Sequence, residues 1–250
     1  MPRVEMLSQP PRILRKSLLA GAREAEGVAV VIDVLRAFTS AALMMHLGVE
    51  KIILLARPEA VLELKAEKGY LAVGEVDGRM VPGFDVGNSP SRILAAGRNL
   101  FAGRTVAQRT SAGVTGAVAA ARRSDIVILG SFVTASAIAR YIRRLAPSPA
   151  VVSLVAMGVG GKEVTPDDEA CADYIEHLLT GRPYDHAAAL RRVVEHECTQ
   201  KFLRGDREHF PPSDPIYCLQ RDLFDFVAAA ALEGEDLVAR RIDIPEKETT

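Results

Sequence analysis

The sequence predicts an α/β fold of three layers, α/β/α, around a largely parallel or mixed central sheet. From Val28 onward, short apolar runs alternate with longer amphipathic ones, the order expected of strands joined by crossover helices. The apolar runs carry Val, Ile, Leu and Ala at nearly every position, as in strands covered by helices on both faces. With 48% hydrophobic and 25% charged residues in a chain of 250, there is enough apolar surface for a core without disulfide or metal staples. Disordered, collagen-like and disulfide-knot classes are thereby excluded.

Taken in order, strands are expected at residues 28–33, 51–55, 70–74, 104–109, 125–130 and 150–156. Helices are expected at 36–47, 58–68, 112–122, 134–145, 166–179 and 186–203, where apolar residues recur at helical spacing. Before them, residues 12–22 (RILRKSLLAGA) imitate a leader peptide, but the apolar stretch is short and runs at once into Arg23, Glu24 and Glu26. No run approaches the roughly 18 uncharged apolar residues of a membrane span. Two irregular stretches interrupt the rhythm: 75–90 (EVDGRMVPGFDVGNSP), long enough to be functional, and 205–215 (GDREHFPPSDP), which precedes a last apolar segment at 216–231. The whole chain, 1–250, is expected to form one α/β domain, any C-terminal subregion beginning near residue 185.

Lys plus Arg number 31 against 32 for Asp plus Glu, so no general attraction to nucleic acid or to a membrane surface is expected. Cys171, Cys198 and Cys218 stand far apart with no C-x-x-C spacing, which argues against zinc and disulfides and for a reduced, cytoplasmic protein.

Ligands of open α/β sheets bind beyond the carboxyl ends of strands. Parallel strands would gather Asp33, Arg36 and Thr39, then Glu75, then Thr110, Ser111 and Gly113, then Ser131, and finally Gly158, Gly160 and Gly161 on one rim. Each has a second reading. Asp33, Ser111 and Ser131 suit helix caps, and a helix N-terminus is also an anion site. Ser89–Pro90 and Thr165–Pro166–Asp167–Asp168 read as helix starts, with Asp85 and Asn88 in the turn-rich loop before the first. His196–Glu197 opens like a zinc-protease motif, but Gln200 stands where the second ligand is needed. The late glycines lack dinucleotide spacing, and neither G-x-S-x-G nor a Walker loop occurs. Leu35, two residues after Asp33, excludes the paired aspartates of dehalogenase-type phosphatases.

Several segments, in order along most of the chain, resemble the 2-phosphosulfolactate phosphatase family. They are VVIDVLRAFTSA (30–41), GEVDG (74–78), GFDVGNSP (83–90), GSFVTASAIA (130–139), DDEACA (167–172) and DPIYCLQRDLFD (214–225). The resemblance implies a magnesium-dependent acid phosphatase on an α/β/α fold, hydrolysing 2-phospho-3-sulfolactate to 3-sulfolactate and phosphate. Three departures fall on the rim: Ala112 replaces the Asn of the family's T-T-N-G-T, Phe38 stands within its R-A-T-T, and Asp167 replaces the Glu of its E-D pair.

With that chemistry, Asp33, Arg36 and Glu75 are the expected catalytic residues. Magnesium, a hard cation that takes few protein carboxylates, is expected on Asp33 and Glu75, with Asp168 or Asp85 next. Arg36, Thr39, Asn88, Ser89, Thr110, Ser111, Gly113 and Ser131 are expected around a small phosphorylated, sulfonated substrate. A homodimer is expected from the frequency of twofold dimers alone. The alternatives are a small-anion-binding protein on the same rim, a phosphatase for another phosphorylated hydroxy acid, and, third, a dinucleotide oxidoreductase.

Overall fold

The computed structural model of the chain describes residues 11–145 and 149–244. In chain order the elements are β1 (Arg12–Ser17), α1 (Leu18–Arg23), β2 (Gly27–Ile32), α2 (Ala37–His46), β3 (Lys51–Leu54), α3 (Pro58–Lys68), β4 (Leu71–Gly74), α4 (Pro90–Phe101), β5 (Thr105–Arg109), α5 (Gly113–Ala120), β6 (Ser124–Gly130), a 3₁₀ turn (Phe132–Thr134), α6 (Ala135–Arg144), β7 (Val151–Ala156), α7 (Pro166–Thr180), α8 (His186–Glu195), α9 (Glu197–Leu203), α10 (Asp214–Cys218), β8 (Phe226–Glu233) and β9 (Asp236–Asp243). Helix limits follow local chemistry. Proline opens α3, α4 and α7, the Ser89 hydroxyl caps α4, and left-handed Gly69 and Gly181 end α3 and α7.

Nine strands form one mixed sheet in the order β1-β7-β2-β6-β8-β9-β3-β5-β4. The strands β1, β7, β2 and β6 are mutually parallel, as are β3, β5 and β4, and the antiparallel β8–β9 hairpin is inserted between the two groups. Both faces are helical, so the fold is α/β with three layers. Alternation along β2 assigns the faces: Ala29 and Val31 pack with α2 and α5, whereas Val28, Val30 and Ile32 pack with α6 and α7. On β4 and β5, Val73 and Val106 join the first core, while Ala72 and Ala107 meet Val61 of α3 and Phe84 in a smaller one.

Three features go beyond the expected elements. Residues 12–22, to which no element was assigned, form the edge strand β1, parallel to β7, and most of the short helix α1. The helix expected over 186–203 is two, because His196 is extended and its imidazole Nδ1 accepts the Cys198 N–H, which starts α9 afresh. The segment 216–231 runs from the end of α10 into β8, and the chain turns at Gly234 into β9, a strand not anticipated because its outer half is charged and exposed.

That hairpin changes how the rim is made. Through its antiparallel ladders, β3, β5 and β4 run opposite to β2 in register. The residues that follow β2 and β5 nevertheless meet at the N-termini of α2 and α5, where the Gly113 N–H reaches Asp33.

Candidate active site

Asp33, one residue beyond β2, is the centre of that meeting point. Its Oδ1 accepts the N–H of Ala37 at the start of α2 (3.0 Å), and its Oδ2 accepts the N–H of Gly113 at the start of α5 (2.8 Å). The cap reading and the site reading of Asp33 thus coexist: one carboxylate is aimed by two helix N-termini. Glycine is required at position 113, since a Cβ there would lie 2.7 Å from Asp33 Oδ2 and 2.9 Å from the Ala37 Cβ.

Glu75 follows β4, where Gly74 adopts φ +139° with its backbone against the Arg109 carbonyl, a geometry closed to any side chain. Its Oε1 accepts the Ser111 N–H (2.6 Å), and its Oε2 accepts the Gly78 N–H (2.5 Å) and the Ser111 hydroxyl (3.2 Å). Asp168, in the first turn of α7, accepts the N–H groups of Val34 and Gly158, both at 2.7 Å, and so ties the β2–α2 turn to the glycine turn after β7. Asp167 beside it is buried, with its Oδ1 unpartnered.

These four carboxylates are all buried, and among the described residues none forms an ion pair. Burial pushes the Asp33 carboxyl up to about 7; the two N–H bonds oppose this, while the charges of Asp167 and Glu75 add to it. Burial and then the charges of Asp167 and Asp33 hold Asp168 well above the ordinary carboxylate range. Burial, and next the Asp167 charge, push the Cys198 thiol up to about 12, so it stays protonated.

Asp33 and Glu75 open into a cavity of about 210 Å³ whose walls also include Arg36, Asn88, Ser111, Ala112 and the Gly158–Gly160 turn. Arg36 enters it already held. One guanidinium nitrogen donates to Asp214 Oδ2 and to the His209 carbonyl, both at 2.9 Å, and the other to the Gly78 carbonyl at 3.3 Å. Its guanidinium lies 5.3 and 5.4 Å from the ring centroids of Phe202 and Phe210. Asp214, fully buried, also accepts the hydroxyls of Ser89 (2.8 Å) and Ser91 (2.6 Å).

The structure therefore brings Asp33, Arg36, Glu75, Asn88 and Ser111 together at the cavity, with Gly113 and Asp168 as the supports behind. Others go elsewhere. The carboxylate of Asp85 is taken by Lys65 (2.6 Å) and the Ala72 N–H (2.8 Å) and does not line the cavity. The Thr110 hydroxyl caps α5 by accepting the Val114 N–H, and the Thr39 hydroxyl donates to the Val34 carbonyl. Ser89 serves α4 and Asp214, and Ser131 precedes the 3₁₀ turn as a buried residue off the cavity wall. Ser111 faces the cavity, but its N–H and hydroxyl both serve Glu75.

Sequence reasoning missed Asp167 as more than a helix start, and missed Asp77, Lys201, Phe202, Phe210 and Asp214. The segment DPIYC flagged the neighbourhood of Asp214; nothing flagged Lys201, which sits at an ordinary helical position.

Among the described residues, no three His, Cys, Asp or Glu side chains form a ready cage for a metal ion. Magnesium does not need one, because it keeps waters and commonly binds one or two carboxylates plus substrate phosphate. Cavity-facing Asp33 and Glu75, with uncompensated negative charge behind them, fit that donor set. No helix among the described residues is long and apolar enough to cross a membrane, and the three cysteines are buried and free.

A family model described as 2-phosphosulpholactate phosphatase matches residues 13–231, and so takes in every element contributing to this cavity. A probable 2-phosphosulfolactate phosphatase of Bacillus subtilis is 32% identical over 217 residues, covering 86% of this chain and 92% of the relative. Another, of Carboxydothermus hydrogenoformans, is 36% identical over 221 residues, covering 84% and 88%. The family match thus extends over both groups of parallel strands and into β8, and the chain belongs to the 2-phosphosulpholactate phosphatase family.

Proposed function

We propose that this chain is a magnesium-dependent phosphoric monoester hydrolase that releases phosphate from 2-phospho-3-sulfolactate. The carrying observation is the polarity of the cavity: buried carboxylates with no cation of their own at one part of the wall, and Arg36 beside two aromatic rings at another. A phosphate ester cannot approach bare carboxylates, so a cation must stand between them. Asp33 and Glu75 are the residues to hold it, with the buried charge of Asp167 adding to the negative potential at Asp33. Magnesium there would neutralise charge developing on the phosphoryl oxygens.

The protein's own contribution is rigidity. Asp33 is fixed by two helix N-termini, Glu75 by the Ser111 and Gly78 N–H groups, and Asp168 locks the two turns that carry Asp33 and the glycines. The Asn88 carboxamide lines the cavity with its Oδ1 unpartnered, leaving it free to orient a substrate or water hydrogen. Arg36 supplies positive potential from a fixed position, since Asp214 and two carbonyls prevent it from swinging.

Phosphate release from 2-phospho-3-sulfolactate, measured with Mg2+, without it and with EDTA, tests this reading. Metal-dependent release selective for the sulfonated ester supports it; no release from any ester sinks it. Ala112 favours a second reading, because it faces the cavity where the family motif carries Asn. Under that reading the same chemistry acts on another phosphorylated hydroxy acid, and a substrate panel in the same assay separates the two.

A further inference from the structure

Lys201, in α9, lines the cavity together with Arg36. Its ammonium lies 5.5 Å from the Phe202 centroid and 5.0 Å from that of Phe210, the same two rings that Arg36 faces. The rings pack edge-to-face at 4.9 Å and give both cations a firm apolar seat. The two differ in what else they touch. Arg36 is ion-paired with Asp214 at 2.9 Å and its hydrogen-bond donors are engaged by the protein, whereas Lys201 forms no ion pair among the described residues. The cavity thus keeps an ammonium whose donors are not committed to the protein.

Resting on the proposed phosphatase reading, we propose that Lys201 binds the sulfonate of the substrate and sets selectivity for it. The substrate carries three anionic groups on three carbons. Its phosphoryl end belongs with the carboxylate wall and the cation held there, so another anionic group is left for the Lys201 side. An ammonium offers three donors arranged about an axis, which matches the three oxygens of a sulfonate; a planar carboxylate is better matched by a guanidinium fork. A point charge on a flexible stem over aromatic faces also suits a weakly basic, highly symmetric anion that offers no bidentate edge.

The test compares wild type, Lys201→Gln and Lys201→Arg as full-length, Mg2+-loaded enzymes. The esters are 2-phospho-3-sulfolactate and 2-phospholactate, which lacks only the sulfonate; calorimetric binding of 3-sulfolactate provides a readout without turnover. Loss of one charge-assisted contact predicts that Lys201→Gln raises KM for the sulfonated ester about tenfold or more, with a smaller fall in kcat. Its effect on 2-phospholactate should be several-fold smaller, 3-sulfolactate binding should weaken about tenfold, and Lys201→Arg, which restores the charge but not the ammonium geometry, should recover only part of both losses. Equal effects on the two esters, or unchanged 3-sulfolactate binding in Lys201→Gln, overturn the assignment. A wild type that binds 3-sulfolactate through Lys201 yet releases no phosphate overturns the phosphatase reading alone. A wild type that hydrolyses esters with no advantage for the sulfonated one overturns the Lys201 assignment alone.

Discussion

Asp33 and Asp214 are both buried aspartates with several hydrogen-bond donors, yet only Asp214 has a cation of its own. Asp214 receives Arg36, Ser89 and Ser91, and this set joins three separate parts of the chain. Asp33 receives two backbone N–H groups and faces further negative charge from Asp167 and Glu75. A buried acid with its partner is part of the frame, because removing either member strands the other. A buried acid without one is costly in the empty protein and makes sense where a ligand supplies the missing charge. Scaffold and chemistry are thus carried by different aspartates, one behind the cavity under Arg36 and one on its wall.

The largest effect should come from breaking the frame. Asp214→Ala leaves Arg36 buried and unpaired and should cost about 3–5 kcal/mol in denaturant unfolding; a loss below about 1 kcal/mol would show that the pair is not structural. Asp33→Asn should do the reverse. Its amide still accepts one backbone N–H but meets the other with its own NH2, a cost of about 1 kcal/mol that relief of charge repulsion offsets. Phosphatase activity should nevertheless fall at least about 100-fold, and a variant retaining wild-type activity with unchanged magnesium dependence would remove Asp33 from the site.

Gly113→Ala sharpens the contrast by moving Asp33 without altering its charge. The added methyl overlaps the carboxylate and the Ala37 Cβ, so a stability loss of about 1–3 kcal/mol is expected, together with reduced activity. Wild-type behaviour in both assays would mean that the β5–α5 turn shifts freely.

The smallest effect is a pH dependence. With its carboxyl raised from 3.8 to about 7, folded Asp33 holds more protons than the unfolded chain does between those values. Metal-free stability should therefore be full at the acid side of that window and fall as pH rises through it. Mg2+ should raise Tm more at pH 8 than at pH 5, where protons already occupy the site. Equal Tm shifts at the two pH values would contradict a cation bound at Asp33.

Much of this was legible before any coordinates. Alternation of apolar runs placed β2, β3, β4, β5, β6 and β7 to within a residue or two of their observed limits, because strands buried on both faces leave little freedom in composition. Asp33, Glu75 and Asn88 were visible as polar residues at strand ends and in a long loop, and the structure brings them to one cavity. Asp85 looked equivalent in sequence, but a neighbouring helix supplied Lys65 to it. Thr39 and Thr110 likewise lie at the right places along the chain but turn their hydroxyls to backbone groups next to them.

What the sequence determined by itself is local: helix starts at Pro and capping residues, two-faced burial of the strands, and motifs that carry a family's identity along most of the chain. Those depend on neighbours within a few positions. The tertiary structure alone decided which buried acid received a cation, because Arg36 and Asp214 lie 178 positions apart and meet only when the segment after α9 crosses the cavity. It also decided that a rim expected from parallel strands would be built across an inserted antiparallel hairpin. Pairing order and twist are properties of the whole sheet, and no single run of residues encodes them.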